Sequence, residues 1–364
     1  MNQANLVAPF GQLSLGNKEN VNPTHPGLSH AFFQAQQAHP KMSDAIAKAR
    51  DWALPLMTNL TNSRNWQCIS KTKKHPAIQF RTCDQNLELL IPLRHIGQGT
   101  YKKVKLKLHL SENGKSRLIV RYRLLSNNLA LLKKNEYFVS MLYPNLPAQF
   151  KCIKYTSRKR NKERLLGHYF PSTLKKLLKT RPLENEEIIE NTFWLAQDLD
   201  NLHSKGWCHL DINAQNICLD ENNFPYLLDY DFTSQIGRKL DTAETNGNVA
   251  PEIIEATNGF TIAPSADVFS MGMLMVQMAH PPLFTQLVQA QSIARKTGKT
   301  KPTIDTLVKI QASLRRSKDP LDHLIVQLIA YNPSSRPTAR EIINELLLLK
   351  KALNESKRTR ETDT

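Results

Sequence analysis

His209–Asp231 reads HLDINAQNICLDENNFPYLLDYD. The stretch opens on His-x-Asp, reaches Asn216 five residues after Asp211, and closes on Asp229-Tyr230-Asp231, thirteen residues after Asn216. One carboxylate in such a segment can take a proton, and a second carboxylate with an amide oxygen supplies hard donors of the kind that hold Mg2+. Three polar residues in a loop-rich region carry no chemistry by themselves. What sets this stretch apart is its two spacings, and the rest of the chain is read outward from them.

The 364 residues fit one large domain or two lobes with tails, and 40% apolar content is enough for a real core. Cys68, Cys83, Cys152, Cys208 and Cys218 are odd in number and share no metal-ligand spacing, so they read as reduced thiols. No run approaches the roughly 18 apolar residues of a membrane-spanning helix. The start, MNQANLVAPFGQLSLG, lacks the basic beginning and long apolar core of a signal peptide, so a cytoplasmic protein is expected. With 49 basic against 32 acidic residues the formal charge is +17, which favours acidic partners. The plainer reading is a solvated basic surface. Nucleic acid is not favoured, because the basic runs lack regularly spaced aromatics and there is no zinc-finger spacing.

Residues 1–40 are rich in Asn, Gln and Pro and read as a flexible tail. SDAIAKARDWALPLMTNL (43–60) predicts a short helix broken near Pro55, within an extension over 41–87. QCIS, AIQF and LELLIPL read as strands, as does RLIVRYRLL at Arg117–Leu125, where period two puts Ile119, Arg121 and Arg123 on one face. Leu129–Leu142 has helical spacing, and Lys151–Arg164 is a basic strand-turn-strand. Asn191–Lys205 reads as a helix leading into the opening stretch. Thr338-Ala339-Arg340-Glu341 is a capping box for a last helix over Ala339–Leu353, and residues 353–364 read as a charged tail.

In order and spacing, these landmarks resemble eukaryotic-type protein kinases over roughly residues 88–352. HLDINAQN resembles the catalytic loop H-R-D-x-x-x-x-N, and DYD the metal-binding D-F-G. IGQGTYKKV at Ile96–Val104 is similar to the glycine-rich loop, Ala250-Pro251-Glu252 to A-P-E, DVFSMG at Asp267–Gly272 to the buried helix of the helical lobe, and NPSSRP to the D-P-x-x-R-P near the domain end. The resemblance implies an α+β bilobal fold: a small antiparallel β-rich lobe over 88–167 with one helix, and a larger helical lobe over 168–352. It implies ATP and Mg2+ as cofactors and a protein hydroxyl as substrate. Asp211 would orient and accept the hydroxyl proton, with Asn216 and Asp229 as metal ligands. Ile96, Gly97, Gln98, Gly99, Thr100, Tyr101, Lys102, Val104, Ile119 and Arg121 would surround the nucleotide. Glu136 would pair with the phosphate-holding cation. His209, Thr245, Glu252, Asp267 and Arg336 would be structural: Asp267 on catalytic-loop backbone, Arg336 on Glu252, and Thr245 against the catalytic loop near the substrate.

The departures matter as much. Leu210 replaces the Arg before the catalytic Asp, Asn213 the Lys two residues past it, and Asp231 the Gly of D-F-G. The strand RLIVRYRLL has no Lys; register places Arg121 there, and Arg is no simple substitute for a compact point charge. Lys102 stands where the third glycine of the loop would be. The with-no-lysine kinases are similar, since their phosphate-holding lysine comes from this position. An active Ser/Thr-type kinase using Lys102, with Arg121 as the alternative cation, is the leading expectation. A pseudokinase scaffold, and a basic nucleic-acid-binding module on this fold, stay open. Such compact, divergent kinases also resemble the eukaryotic-like kinases of intracellular bacteria and large viruses, which implies action inside a host cell.

Overall fold

The computed structural model describes residues 26–54, 67–68, 78–83, 86–98, 102–111, 113, 116–124, 129–146, 151–157, 160–240, 248–256, 258–297 and 301–362. Strands β1 (Gln67–Cys68), β2 (Gln79–Cys83), β3 (Asn86–Gln98), β4 (Lys102–Ser111), β5 (Ser116–Leu124), β6 (Lys151–Ser157) and β7 (Arg160–His168) follow the hydrogen-bonded order β1-β2-β3-β4-β5-β7-β6. The chain divides into two units: Met1–Leu93 with Lys107–Arg117 and Tyr155–Arg160, and Arg94–Leu106 with Leu118–Lys154 and Asn161–Thr364.

In the first unit, α1 (Pro26–Ala38) begins with Pro, whose missing N–H costs nothing in a first helical turn. Leu28, Ala31, Phe32 and Ala35 recur at i, i+3, i+4 and i+7 and are fully buried. The expectation of a flexible tail through residue 40 is therefore corrected: residues 26–38 form a helix with a buried stripe. Helix α2 (Ser43–Ala53) buries Ile46, Ala49 and Ala53, and ends just before Pro55 as expected. β2 and β3 pair antiparallel, Gln79 opposite Leu90 through Cys83 opposite Asn86. The buried Lys107 ammonium on β4 bonds the Gln79 side-chain oxygen and also reaches the Leu90 carbonyl at 3.5 Å. Glu88 accepts from Arg81 at 2.8 Å and lies 3.3 Å from His109, and the His109 contact holds its carboxyl down at about 2.

In the second unit, β5 and β7 pair antiparallel, with Ile119 opposite His168 and Arg121 opposite Leu166. Helix α3 (Leu129–Leu142) has the bounds its apolar spacing predicts. The helical part comprises α4 (Leu174–Thr180), α5 (Asn185–Ser204), α6 (Pro251–Ile254), α7 (Pro264–Ala279), α8 (Pro281–Thr297), α9 (Lys301–Arg315), α10 (Pro320–Leu328) and α11 (Ala339–Thr362). Short strands β8 (Ser172–Thr173), β9 (Trp207–Cys208), β10 (Ile217–Leu219), β11 (Pro225–Leu227), β12 (Ser234–Gln235), β13 (Lys239–Leu240) and β14 (Phe260–Thr261) brace the loops between them.

Helix α7 is the centre of this unit's core. It buries every residue from Ala266 to Val276, as a helix apolar all round must, and packs on α5, α8 and α10. Gly272 lets α10 come close: a Cβ there would lie 2.7 Å from Leu328 Cβ and 2.8 Å from Ile329 Cγ2. Gly272→Ala is expected to cost about 1–3 kcal/mol in urea unfolding through this overpacking, although Ala is the better helix former; a neutral or stabilising change would show that α10 yields.

Helix α11 starts at the expected box, with Thr338 N donating to Glu341 Oε2 at 2.7 Å and Glu341 N to Thr338 Oγ1 at 3.3 Å. It does not stop near Leu353 but continues to Thr362 along α5, where Lys350 and Lys357 meet Glu190 and Glu186. The supposed charged tail is mostly helix, because its Lys, Arg and Glu are good helix formers with carboxylates and ammonium groups to face.

Candidate active site

The β10–β11 hairpin sets the first distance. Ile217 pairs with Leu227 and Cys218 with Tyr226, and Leu228 N donates to Asn216 O at 2.9 Å. Thirteen residues of separation thus close into adjacency, placing Asn216 beside the residue before Asp229. Asp229 has φ of 69°, a left-handed backbone that non-glycine residues adopt only when their surroundings enforce it.

Asp211 is buried, and both its carboxylate oxygens are capped by amides. Asn216 Nδ2 donates to Oδ2 at 2.7 Å and to the Asp211 carbonyl at 2.8 Å; Asn213 Nδ2 donates to Oδ1 at 3.0 Å. Burial raises the Asp211 carboxyl to about 6, with the charges of Asp229 and Asp231 pushing the same way and the two amides pulling back. Asn213, read from sequence only as a lost lysine, is therefore a cap on Asp211. Its own Oδ1 accepts from Gln215 N at 3.0 Å, fixing the turn.

The loop is held from below by Asp267 of α7, fully buried. Its carboxylate accepts from His209 N at 2.7 Å, Leu210 N at 2.8 Å and His203 Nε2 at 2.9 Å. Burial alone would raise Asp267, but the His203 contact and these donors bring it below the usual carboxylate range. The expected role of Asp267 on loop backbone is what the geometry has; His203 is an addition the sequence did not single out. Leu210, whose N–H this anchor holds, has a φ of 66°, in the left-handed region. His209 is buried, its pKa is lowered chiefly by that burial, and its Nδ1 accepts from Asp211 N at 3.2 Å. His203, Cys208 and Asp267 cluster closely enough for a metal, but the Asp267 oxygens are already taken by these donors.

Helix α3 supplies the contacts that sequence reasoning missed. Lys134 Nζ donates to Asp231 O at 2.9 Å, and Asn135 Nδ2 donates to Asp231 Oδ1 at 2.7 Å and to Leu131 O at 2.8 Å. Tyr230 N donates back to Asn135 Oδ1 at 3.1 Å. Tyr230, fully buried, stacks on Phe138 of the same helix at 5.2 Å and meets the His209 ring edge at 5.0 Å. The α3 face turned to Asp-Tyr-Asp thus carries Lys134, Asn135 and Phe138. Glu136 is half-buried and lies about 200° round the helix from Lys134.

Other expected site residues fall as follows. Ile96 is exposed near the end of β3, Val104 half-buried on β4, and Ile119 buried beside half-buried Arg121 on β5. The side chains of Gly97, Gln98 and Lys102, and the whole of Gly99, Thr100, Tyr101 and Thr245, lie outside the described residues. Arg336 pairs with Glu252 as expected, bidentate at 2.7 and 2.8 Å.

The protein kinase domain family matches residues 91–348, more than two thirds of the chain. The chain belongs to the protein kinase domain family. The kinase domain is 31% identical over 173 residues to a probable serine/threonine-protein kinase of Dictyostelium discoideum, covering 46% of this chain and 10% of that protein. It is 26% identical over 176 residues to mitogen-activated protein kinase kinase kinase 1 of Arabidopsis thaliana, covering 47% and 27%. It is 27% identical over 175 residues to serine/threonine-protein kinase PAK 4 of Homo sapiens, covering 46% and 28%. The chain thus spans less than a third of the length of each of these relatives. The architecture is that of the kinase fold, an antiparallel sheet in the N-terminal part and a mostly helical C-terminal part. Among the described residues no helix is long and apolar enough to cross a membrane.

Proposed function

We propose that this kinase domain transfers the γ-phosphate of ATP to a protein hydroxyl, on Ser or Thr. The observation that carries the reading is the capped, buried Asp211 carboxylate, raised to about 6 and beside Asp229. Such a group is ionised at neutral pH yet basic enough to accept a hydroxyl proton as attack proceeds. The Ser/Thr acceptor follows the names of the relatives. The basic surface suits an acidic protein partner.

The residues fit Mg2+. Asp229 is a hard oxygen donor whose negative charge contributes to raising Asp211, Cys218 (pushed up to about 12, mainly by burial) and Tyr122. Asn216 spends its Nδ2 on Asp211, which leaves its Oδ1 as a ligand atom. When bound, Mg2+ neutralises charge on the phosphates. The chain's own residues do the rest. Asp211 orients the acceptor hydroxyl, Asn213 and Asn216 keep its carboxylate from rotating, and Asp267 fixes the loop on which it stands.

Lys102 is assigned as the phosphate-holding cation, with Arg121 of β5 as the alternative and Glu136 as the candidate carboxylate partner. Radiolabel transfer from ATP with Mg2+ tests this. Lys102→Met is expected to lower kcat/KM by about 10²-fold, and Arg121→Met by less than about tenfold. The reverse order moves the assignment to Arg121 and leaves the kinase standing. No transfer by the wild type sinks the enzyme and favours the second reading, a pseudokinase scaffold. The observation on that side is that α3 presents a cation, Lys134, to the Asp-Tyr-Asp segment.

A further inference from the structure

The family's helix-to-site coupling runs through a strand lysine and a helix glutamate. The strand here is RLIVRYRLL, with no lysine. A different coupling is present between α3 and the segment that carries Asp229. Resting on the kinase reading, we propose that Lys134 and Asn135 are positioning residues, and that their clamp on Tyr230–Asp231 holds Asp229 ready for Mg2+.

Four observations converge. Asn135 is almost fully buried, which an amide tolerates only when its polar atoms are bonded. Its Nδ2 bonds Leu131 O and Asp231 Oδ1, and its Oδ1 accepts from Tyr230 N, so the amide has one orientation. Lys134 fixes the Asp231 carbonyl one helical position away. Phe138, at i+4 from Lys134, stacks on Tyr230 and stops the segment from rotating.

The residue that completes the clamp is Asp231. A glycine there, the usual residue of the motif, has no side chain for Asn135 to hold. The same carboxylate adds negative charge near Asp211, so its presence beside a metal site is a cost unless it does something. What it does is accept from Asn135. The left-handed backbone of Asp229 lies immediately before these fixed residues, and the two bonded neighbours keep it there.

The test combines amide exchange with Mg2+–nucleotide binding on the full chain. Tyr230 N–H is a direct reporter, because its acceptor is Asn135 Oδ1. Asn135→Ala should speed exchange at Tyr230 by about tenfold or more and raise the Mg2+ concentration for half-saturation of fluorescent-ADP binding by about tenfold. Asp231→Gly should raise the Mg2+ requirement similarly, while Asp231→Asn, which still offers an oxygen to Asn135, should restore it. In the double variant Asn135→Ala/Asp231→Gly the two effects should not multiply, since both remove the shared Asn135–Asp231 contact. Thermal unfolding of the apo protein separates this from general damage. The proposal is overturned if Tyr230 exchange is unchanged in Asn135→Ala, if Mg2+ half-saturation stays within about twofold, or if the two effects multiply. A wild type that binds no Mg2+–nucleotide, with Tyr230 still protected, overturns the kinase reading instead and leaves the clamp nothing to position.

Discussion

Asp211→Asn is expected to abolish transfer and to stabilise the fold. General-base catalysis is worth about 10²–10⁴-fold, and the substitution removes the base while keeping the shape. kcat/KM should fall by at least that factor with KM for ATP little changed, because the proposed role of Asp211 is toward the acceptor hydroxyl and not the nucleotide. The wild type gives a second readout. The proposed base is the Asp211 carboxylate, raised to about 6 by burial and by Asp229 and Asp231. Activity should therefore fall as pH drops through about 6, and Mg2+ on Asp229 should move that limb downward by removing a neighbouring negative charge.

The stability effect has the opposite sign. A carboxyl whose folded pKa is raised is penalised when charged, so the cost is absent at low pH, grows between about 4 and 6, and is complete above. A shift of that size is worth at most about 3 kcal/mol. The amide avoids it but offers Asn213 or Asn216 one oxygen fewer, a loss of about 1 kcal/mol. The net gain is about 1–2 kcal/mol at pH 7.5, seen as a rise of a few degrees in Tm that fades by pH 4. An Asp211→Asn protein that transfers phosphate like the wild type would remove Asp211 from the mechanism. One that is inactive and no more stable would show that the buried charge is already compensated.

The two halves of the site differed in legibility for a physical reason. Asp211, Asn213 and Asn216 contact one another across two to five residues, so local spacing encodes their geometry. Helix α3 was legible because its apolar residues repeat at helical spacing between turn signals. Lys134 and Asn135 reach Asp231 across 97 and 96 residues, and nothing in LALLKKNEYFVSML says which polar residue turns inward. Glu136 stood out in the sequence as an acidic residue of the helix, whereas the residues that meet Tyr230 and Asp231 are Lys134, Asn135 and Phe138. Helix α1 was missed for a related reason. Its Gln, His and Ser content reads as tail, while the four residues that decide burial are a minority of the stretch.

Arg336→Ala should be the most destabilising single change, by about 3–5 kcal/mol in urea unfolding. The guanidinium is fully buried and makes five hydrogen bonds. Two go to Glu252, at 2.7 and 2.8 Å. Three go to the carbonyls of Ala330 at 2.8 Å, Ser265 at 2.9 Å and Tyr331 at 3.1 Å. Its carbon also sits 4.9 Å from the Phe269 ring centroid. One planar group thus ties together the start of α6, the start of α7 and the turn after α10. Alanine leaves a carboxylate and three carbonyls without their donor, and that penalty dominates the lost attraction. Arg336→Lys should recover only part of it, because a point charge cannot span the fork. The segment before Glu252 is bound to the catalytic loop and core through Asn248 Nδ2 on Ile212 O, Ser270 Oγ on Asn248 O and Gln291 Nε2 on Val249 O. Loosening Glu252 should therefore raise KM for protein substrate more than KM for ATP. A loss below about 1 kcal/mol would mean that this half-buried pair does not hold the core, and equal changes in both KM values that it does not fix the acceptor side of the site.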